Sequence, residues 1–252
     1  MFTAWKLLVQ IQCGPPTAHS TRPLSRWVLG LGALGASLAG CAGPRTAPDP
    51  ALHAQAPAGT PAGANEELLQ GNARFASGHA LHPRQDPGRR TELATSQHPF
   101  AVILACSDSR VGPELLFDQG LGDLFVVREA GNVVDDHTLG SIEYGVEHLH
   151  SPLIVVLGHE RCGAVAAARD TVAAKGHAEG HVESLVDAIR PAVEATAGMD
   201  AEATCKANIR DVVHALRTSE PLLEHRVEKG EIAVVGAYYD LDTGAVTFLP
   251  DQ

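Results

Sequence analysis

The stretch Phe100-Ala101-Val102-Ile103-Leu104-Ala105-Cys106-Ser107-Asp108-Ser109-Arg110 decides how this chain folds. Its apolar run, ended abruptly by small and polar residues, is the pattern of a strand buried on both faces of a parallel sheet. Cys106 then stands at the strand's carboxyl end, with Asp108 and Arg110 in the loop beyond. That rim is where open α/β sheets bind ligands. A second stretch has the same form: Leu153-Ile154-Val155-Val156-Leu157, then Gly158-His159-Glu160-Arg161-Cys162-Gly163. Two buried strands therefore bring two thiols, a carboxylate, a guanidinium and an imidazole to one rim.

Outward from these strands, the chain alternates strands and helices. Leu124–Arg128 reads as another buried strand, followed by Glu129-Ala130-Gly131-Asn132. Thr138 to Leu149 carries Leu139, Ile142, Val146 and Leu149 at three- and four-residue steps, an amphipathic helix. A helix starts beside Cys162 and runs through Ala164 to Ala168, Ile209, Val212, Val213 and Leu216 mark a later one, and Pro191 ends or kinks the helix between them. Ile232 to Tyr238 is a fourth buried strand, and Val246-Thr247-Phe248 returns after the turn at Asp242-Thr243-Gly244 as a fifth, at the edge. The alternation predicts an α/β fold with a mostly parallel central sheet of four to five strands flanked by helices. Upstream, Asn65-Glu66-Glu67 opens a helix that Gly78 ends, and Pro113 starts a short helical turn through Phe117. His82 to Gln97 reads as a polar loop whose Arg84, Arg89 and Arg90 either face solvent or reach another subunit.

At 252 residues, 44% hydrophobic and 19% charged, the chain accommodates one globular domain, residues 64–252, plus extra sequence. Residues 1–41 hold Lys6, Arg22 and Arg26 and no acid, which leaves 16 basic against 30 acidic residues in the remainder, a charge of -14. No basic patch remains to neutralise phosphates, so a nucleic-acid partner is excluded. Arg22 and Arg26 precede a thirteen-residue apolar stretch, Trp27 to Ala39, ending in Leu38-Ala39-Gly40-Cys41. This is a secretory signal, too short to span a bilayer. Its end resembles the bacterial lipobox, which implies that Cys41 is lipidated and anchors an exported protein to a membrane, facing the periplasm or cell exterior. Residues 42–63, rich in Pro, Ala and Gly, read as a flexible tether. Gly30-Leu31-Gly32-Ala33-Leu34-Gly35 matches a dinucleotide fingerprint by letter, but lies in the export segment without the strand and helix that motif requires.

Five cysteines at wide spacing, Cys13, Cys41, Cys106, Cys162 and Cys205, make no disulfide framework. His159-x-x-Cys162 at a strand-to-helix junction, joined by Cys106, offers two thiolates and one imidazole, a set that suits zinc. Three protein ligands leave a fourth position open, as in a catalytic site. From spacing alone, a structural zinc knot or two buried free thiols remain alternatives. Asp108 and Arg110 supply what a bare site lacks. A carboxylate pinned by a bidentate arginine can accept the hydrogen bond of zinc-bound hydroxide and aim its oxygen at an electrophile.

Cys106-Ser107-Asp108-Ser109-Arg110 with His159-Glu160-Arg161-Cys162-Gly163 resembles the β-class carbonic anhydrases. The likeness runs from about Asn65 to Leu249 and includes Phe117-Asp118-Gln119-Gly120, Ala130-Gly131-Asn132 and Ser141-Ile142-Glu143-Tyr144. It implies a zinc lyase interconverting CO2 and bicarbonate, with one Zn2+ per subunit on Cys106, His159 and Cys162. Asp108 and Arg110 match the orienting dyad, and Gln97, nine residues before the first ligand, matches a glutamine that contacts the substrate. Phe125 and Ala130 fall where apolar residues wall the pocket, usually against a neighbouring subunit, and Tyr144 near its mouth. The resemblance implies a homodimer or homotetramer. Some members use a tryptophan three residues before the first ligand in a non-catalytic bicarbonate pocket; Ile103 stands there, which favours a constitutively open zinc form.

Other residues carry blander expectations. His177 and His181 are solvated loop histidines, Cys205 is a half-buried helix residue, and Glu160 is solvated or ion-paired. His148 and His150 could shuttle protons, but nothing in the sequence singles them out. Two rivals use the same ligands: a hydrolase of carbon disulfide or carbonyl sulfide, and a non-enzymatic zinc-binding lipoprotein.

Overall fold

The computed structural model describes residues 59–250. The expected export segment, Cys41 and most of the tether lie outside these residues. In chain order the elements are α1 (Pro61–Ala76), α2 (Pro87–Glu92), β1 (Ala101–Ala105), α3 (Pro113–Leu116), β2 (Leu124–Arg128), a 3-10 turn (Ala130–Asn132), α4 (Asp136–Glu147) and β3 (Leu153–His159). They continue with α5 (Gly163–Ala173), α6 (Val182–Ala195), α7 (Ala201–Arg217), α8 (Leu223–Glu228), β4 (Ala233–Tyr239) and β5 (Val246–Phe248). The sheet order is β2-β1-β3-β4-β5, parallel except for β5. It is the mostly parallel α/β sheet that the alternation predicts.

Both faces of the sheet are covered, so β1 and residues 153–157 of β3 are apolar at every position. Val102, Leu104, Ile154, Val156 and Val234 point to one core, shared with α4 to α8. Ala101, Ile103, Leu153, Val155 and Leu157 point to the other, under α1 and α3. Helix α7 packs directly on β3, because a Cβ on Gly158 would lie 2.6 Å from Ile209 Cδ1. The register Ala105↔Leu157 brings the ends of β1 and β3 together, so Cys106 and His159 meet at the rim.

Several local expectations are corrected. Helix α1 begins at Pro61 rather than Asn65: Thr60 Oγ1 accepts from the Gly63 N–H at 3.1 Å and Pro61 sits at the first helical position, so residues 61–63 are helix and not tether. The polar segment His82–Gln97 contains α2, capped by Asp86. Arg84 and Arg89 neither face solvent nor reach outward; both are buried against Asp123, Arg84 Nε at 2.6 Å and Arg89 Nη2 at 3.5 Å. Strand β2 is half-buried, because it forms the edge of the sheet. Pro191 does not end its helix; it lies on the exposed side of α6, which continues to Ala195, so the carbonyl it leaves unbonded can meet water. Cys205 is fully buried, not half-buried.

The Phe117-Asp118-Gln119-Gly120 block is a fastening. Asp118 accepts from Arg74 Nε and from the Leu81 and His82 backbone N–H groups, Gln119 accepts from Arg84 Nη2, and Asp123 accepts from the Gly120 N–H. Burial pushes the Asp118 carboxyl up, but these donors together hold it below its ordinary value. The block ties α1 and the segment 81–92 to the sheet.

Candidate metal centre

Cys106 follows β1, His159 ends β3, and Cys162 caps the amino end of α5. All three are buried, and one donor atom from each lies within 4.8 Å of the others. The two sulfurs are 3.9 Å apart. A tetrahedral zinc with Zn–S bonds near 2.3 Å needs about 3.8 Å between its sulfurs. The His159 Nδ1–H donates to the Glu160 carbonyl at 2.8 Å, which leaves Nε2 as the bare nitrogen. Nε2 is buried with no hydrogen-bond partner among the described residues, and Asp108 Oδ2 at 3.9 Å is beyond reach. A buried nitrogen without a donor is costly unless a cation meets it, so the residues fit a zinc ion.

One of the two sulfurs, Cys106, is already biased toward thiolate. A hydrogen bond from Cys162 pulls Cys106 well below the usual thiol value against the penalty of burial, helped by His159 and by the Gly131 N–H at 3.2 Å. The shared proton, with burial, pushes Cys162 up in turn. Gly131 has φ +74, a backbone that an L side chain adopts only with strain, and a Cβ there would lie 2.7 Å from Ile189 Cδ1.

Beside the cup, Asp108 is held on Arg110 by two parallel bonds, Nε to Oδ1 at 2.9 Å and Nη2 to Oδ2 at 2.7 Å, with the Arg110 backbone N–H also on Oδ1. The Arg110 side chain holds the Asp108 carboxyl well below the usual carboxylate range. Arg110 also reaches the Arg161 carbonyl at 3.3 Å, tying the two ligand loops together. Arg128 clamps the carbonyls of Cys106 and Asp108 from the end of β2.

The substrate-pocket residues are distributed unevenly. Ala130 directly precedes the Gly131 donor, and Phe125 and Tyr144 form a ring pair with centroids 6.1 Å apart. Gln97 instead lines a surface depression with Arg90, Leu93 and Leu121 that none of the three ligands borders. Glu160 is ion-paired with Arg161 and accepts from the Leu241 N–H, and His177 lies in an exposed loop against Glu183. Sequence reasoning missed Arg128, the Gly131 N–H, Cys205 and Asn208. Cys205 Sγ donates to the His159 carbonyl at 3.2 Å, and Asn208 Nδ2 to the Gly131 carbonyl at 2.9 Å. The only signal available was an asparagine and a cysteine one turn apart on the apolar side of a helix, which does not name their partners.

Residues 101–246 match the family model described as carbonic anhydrase. "Carbonic anhydrase 2" of Mycobacterium tuberculosis is 42% identical over 189 residues, 73% of this chain and 90% of the relative. The carbonic anhydrase of Mycolicibacterium smegmatis is 42% identical over 193 residues, 75% of this chain and 94% of the relative. Among solved structures, the Coccomyxa β-carbonic anhydrase in complex with acetazolamide aligns with a TM-score of 0.57 at 28% identity, covering 72% of this chain and 84% of that one. One of two tetrameric β-carbonic anhydrases of Sordaria macrospora aligns with a TM-score of 0.59 at 25% identity, covering 74% and 97%.

Proposed function

The chain belongs to the carbonic anhydrase family, and from that premise we propose that it catalyses the reversible hydration of CO2 to bicarbonate and a proton, with a single Zn2+ held by Cys106, His159 and Cys162. The observation that carries this is a buried, unpartnered His159 Nε2 beside two sulfurs, with a carboxylate pinned next to it by an arginine. Zinc held by these residues would supply Lewis acidity, lowering the pKa of a bound water towards ~7.

The remaining work belongs to the chain's own side chains. Cys106 and Cys162 would hold the ion as thiolates, and their two charges would oppose ionisation of the water, so we expect activity to rise toward alkaline pH. Asp108 stays ionised throughout that range and can only accept a hydrogen bond. Its carboxylate would accept a hydrogen bond from the O–H that attacks CO2, fixing that hydrogen away from the carbon so that an oxygen lone pair faces it. Arg110, by gripping both carboxylate oxygens, keeps Asp108 from turning onto the ion. Phe125, Ala130 and Tyr144 give CO2 an apolar wall completed by a second copy of the chain. Gln97 joins the site only across that boundary, since it borders no ligand of its own chain. We expect a homodimer or homotetramer, read by light scattering of the purified protein.

Replacing Asp108 by Asn tests the mechanism: hydration falls by about 10²-fold or more while zinc content is unchanged. Full activity in that variant contradicts it, and hydrolysis of carbon disulfide without CO2 hydration by the wild type points to the sulfur substrates instead. The export reading is a separate proposal. In it, a lipidated Cys41 anchors the protein to a membrane, a reading carried by Leu38-Ala39-Gly40-Cys41 at the end of the apolar stretch. Cys41→Ser then releases the protein from the membrane fraction; unchanged attachment removes the anchor.

A further inference from the structure

Helix α7 reaches the metal centre without supplying a ligand. Asn208, 1% exposed, donates from Nδ2 to the Gly131 carbonyl at 2.9 Å, and Gly131 in turn donates its N–H to Cys106 Sγ at 3.2 Å. Both peptide groups of one glycine are thus fixed, one by the sulfur and one by Asn208. A glycine has no side chain to hold its torsions, so without the second fixture the turn is held only by the Asn132 N–H on the Glu129 carbonyl and the bond to sulfur is loosened. A hydrogen bond to a thiolate draws electron density from the sulfur, and such outer partners tune what a ligand gives its metal.

We propose that Asn208 is a positioning residue of the metal centre: by pinning the Gly131 carbonyl it keeps the Gly131 N–H on Cys106 Sγ and limits the charge that sulfur donates to a bound metal. Asn208 has this role only if the cup binds metal, as proposed above. The neighbouring bond from Cys205 to the His159 carbonyl marks the same face of α7 as the support of a ligand, His159, and of the turn that donates to another, Cys106.

The test is the sulfur-to-cobalt charge-transfer absorption of the Co(II)-loaded full chain, read alongside the thermal midpoint. Asn208→Ala keeps its cobalt but moves the band to longer wavelength, and the midpoint of its pH–activity profile moves upward, because a richer sulfur donor makes the metal less acidic. Val212→Ala, a buried truncation on the same helix away from Gly131, lowers the thermal midpoint and leaves the band in place. Asn208→Ser takes the place of Asn208→Ala if the latter does not fold. An unshifted band in a cobalt-loaded Asn208 variant, or an equal shift in Val212→Ala, overturns the role. Wild-type protein that takes up no cobalt overturns the metal reading itself, a result distinct from the other two.

Discussion

Asp108–Arg110 and Asp123–Arg84 are the same chemical pair in two settings. The first stands at the rim, with Arg110 half exposed, and the second is enclosed, with both side chains 7% exposed or less. The enclosed pair has its remaining capacity filled by Gln119, Arg89 and the Gly120 N–H, as a buried ion pair must. The rim pair leaves the carboxylate facing the ligand cup, 3.9 Å from His159 Nε2. One pair holds the scaffold, and the other keeps a charged acceptor aimed at the site.

The sharpest way to break this contrast is to remove one partner from each pair. Asp123→Ala takes the carboxylate from the buried Arg84 guanidinium, while Arg89 keeps Glu92 and the Leu121 carbonyl, and we expect a stability loss of about 3–5 kcal/mol in denaturant titration. Should Asp123→Ala unfold at the wild-type midpoint, the enclosed pair is not the fastening described. Arg110→Ala does the reverse. Hydration drops by about 10²-fold, because Asp108 is freed from its orientation, while the thermal midpoint stays near that of the wild type. Equal losses of stability in both variants would erase the distinction.

Acid sharpens the scaffold side. Asp118 is held below its unfolded value near 3.9, so the folded state binds fewer protons there, and the stability this gives is present above about pH 4 and lost as pH falls through the folded value. Asp118→Asn should therefore show a shallower loss of stability below pH 4 than the wild type; identical acid profiles would contradict this. The smallest effect belongs to a third pair. Arg161 and Asp242 are both well exposed and paired at 2.7 Å, so Asp242→Asn leaves the thermal midpoint unchanged at high salt.

The contrast also marks what the sequence could disclose. Strands β1 and β3 are legible because both faces are covered and residues 101–105 and 153–157 are apolar throughout, and the cup follows because its ligands lie at or just beyond the ends of those two strands. The export segment and Cys41 rest on sequence pattern alone. Arg84 pairs with a residue 39 positions away, and no local pattern distinguishes it from a solvated arginine. The start of α1 escaped because Pro61-Ala62-Gly63 has linker composition and depends on one hydroxyl cap. Cys205 and Asn208 sit among apolar neighbours on α7, and what they hold is backbone that carries no sequence signature.

The most direct measurement is stopped-flow CO2 hydration by the purified protein, with zinc determined on the same sample before and after chelation. We expect fast hydration with about one zinc per chain, lost on chelation and restored by zinc, as a three-ligand open site requires. Stoichiometric zinc without hydration at any pH up to ~9, where a thiolate-rich site still ionises its water, would contradict the proposed chemistry.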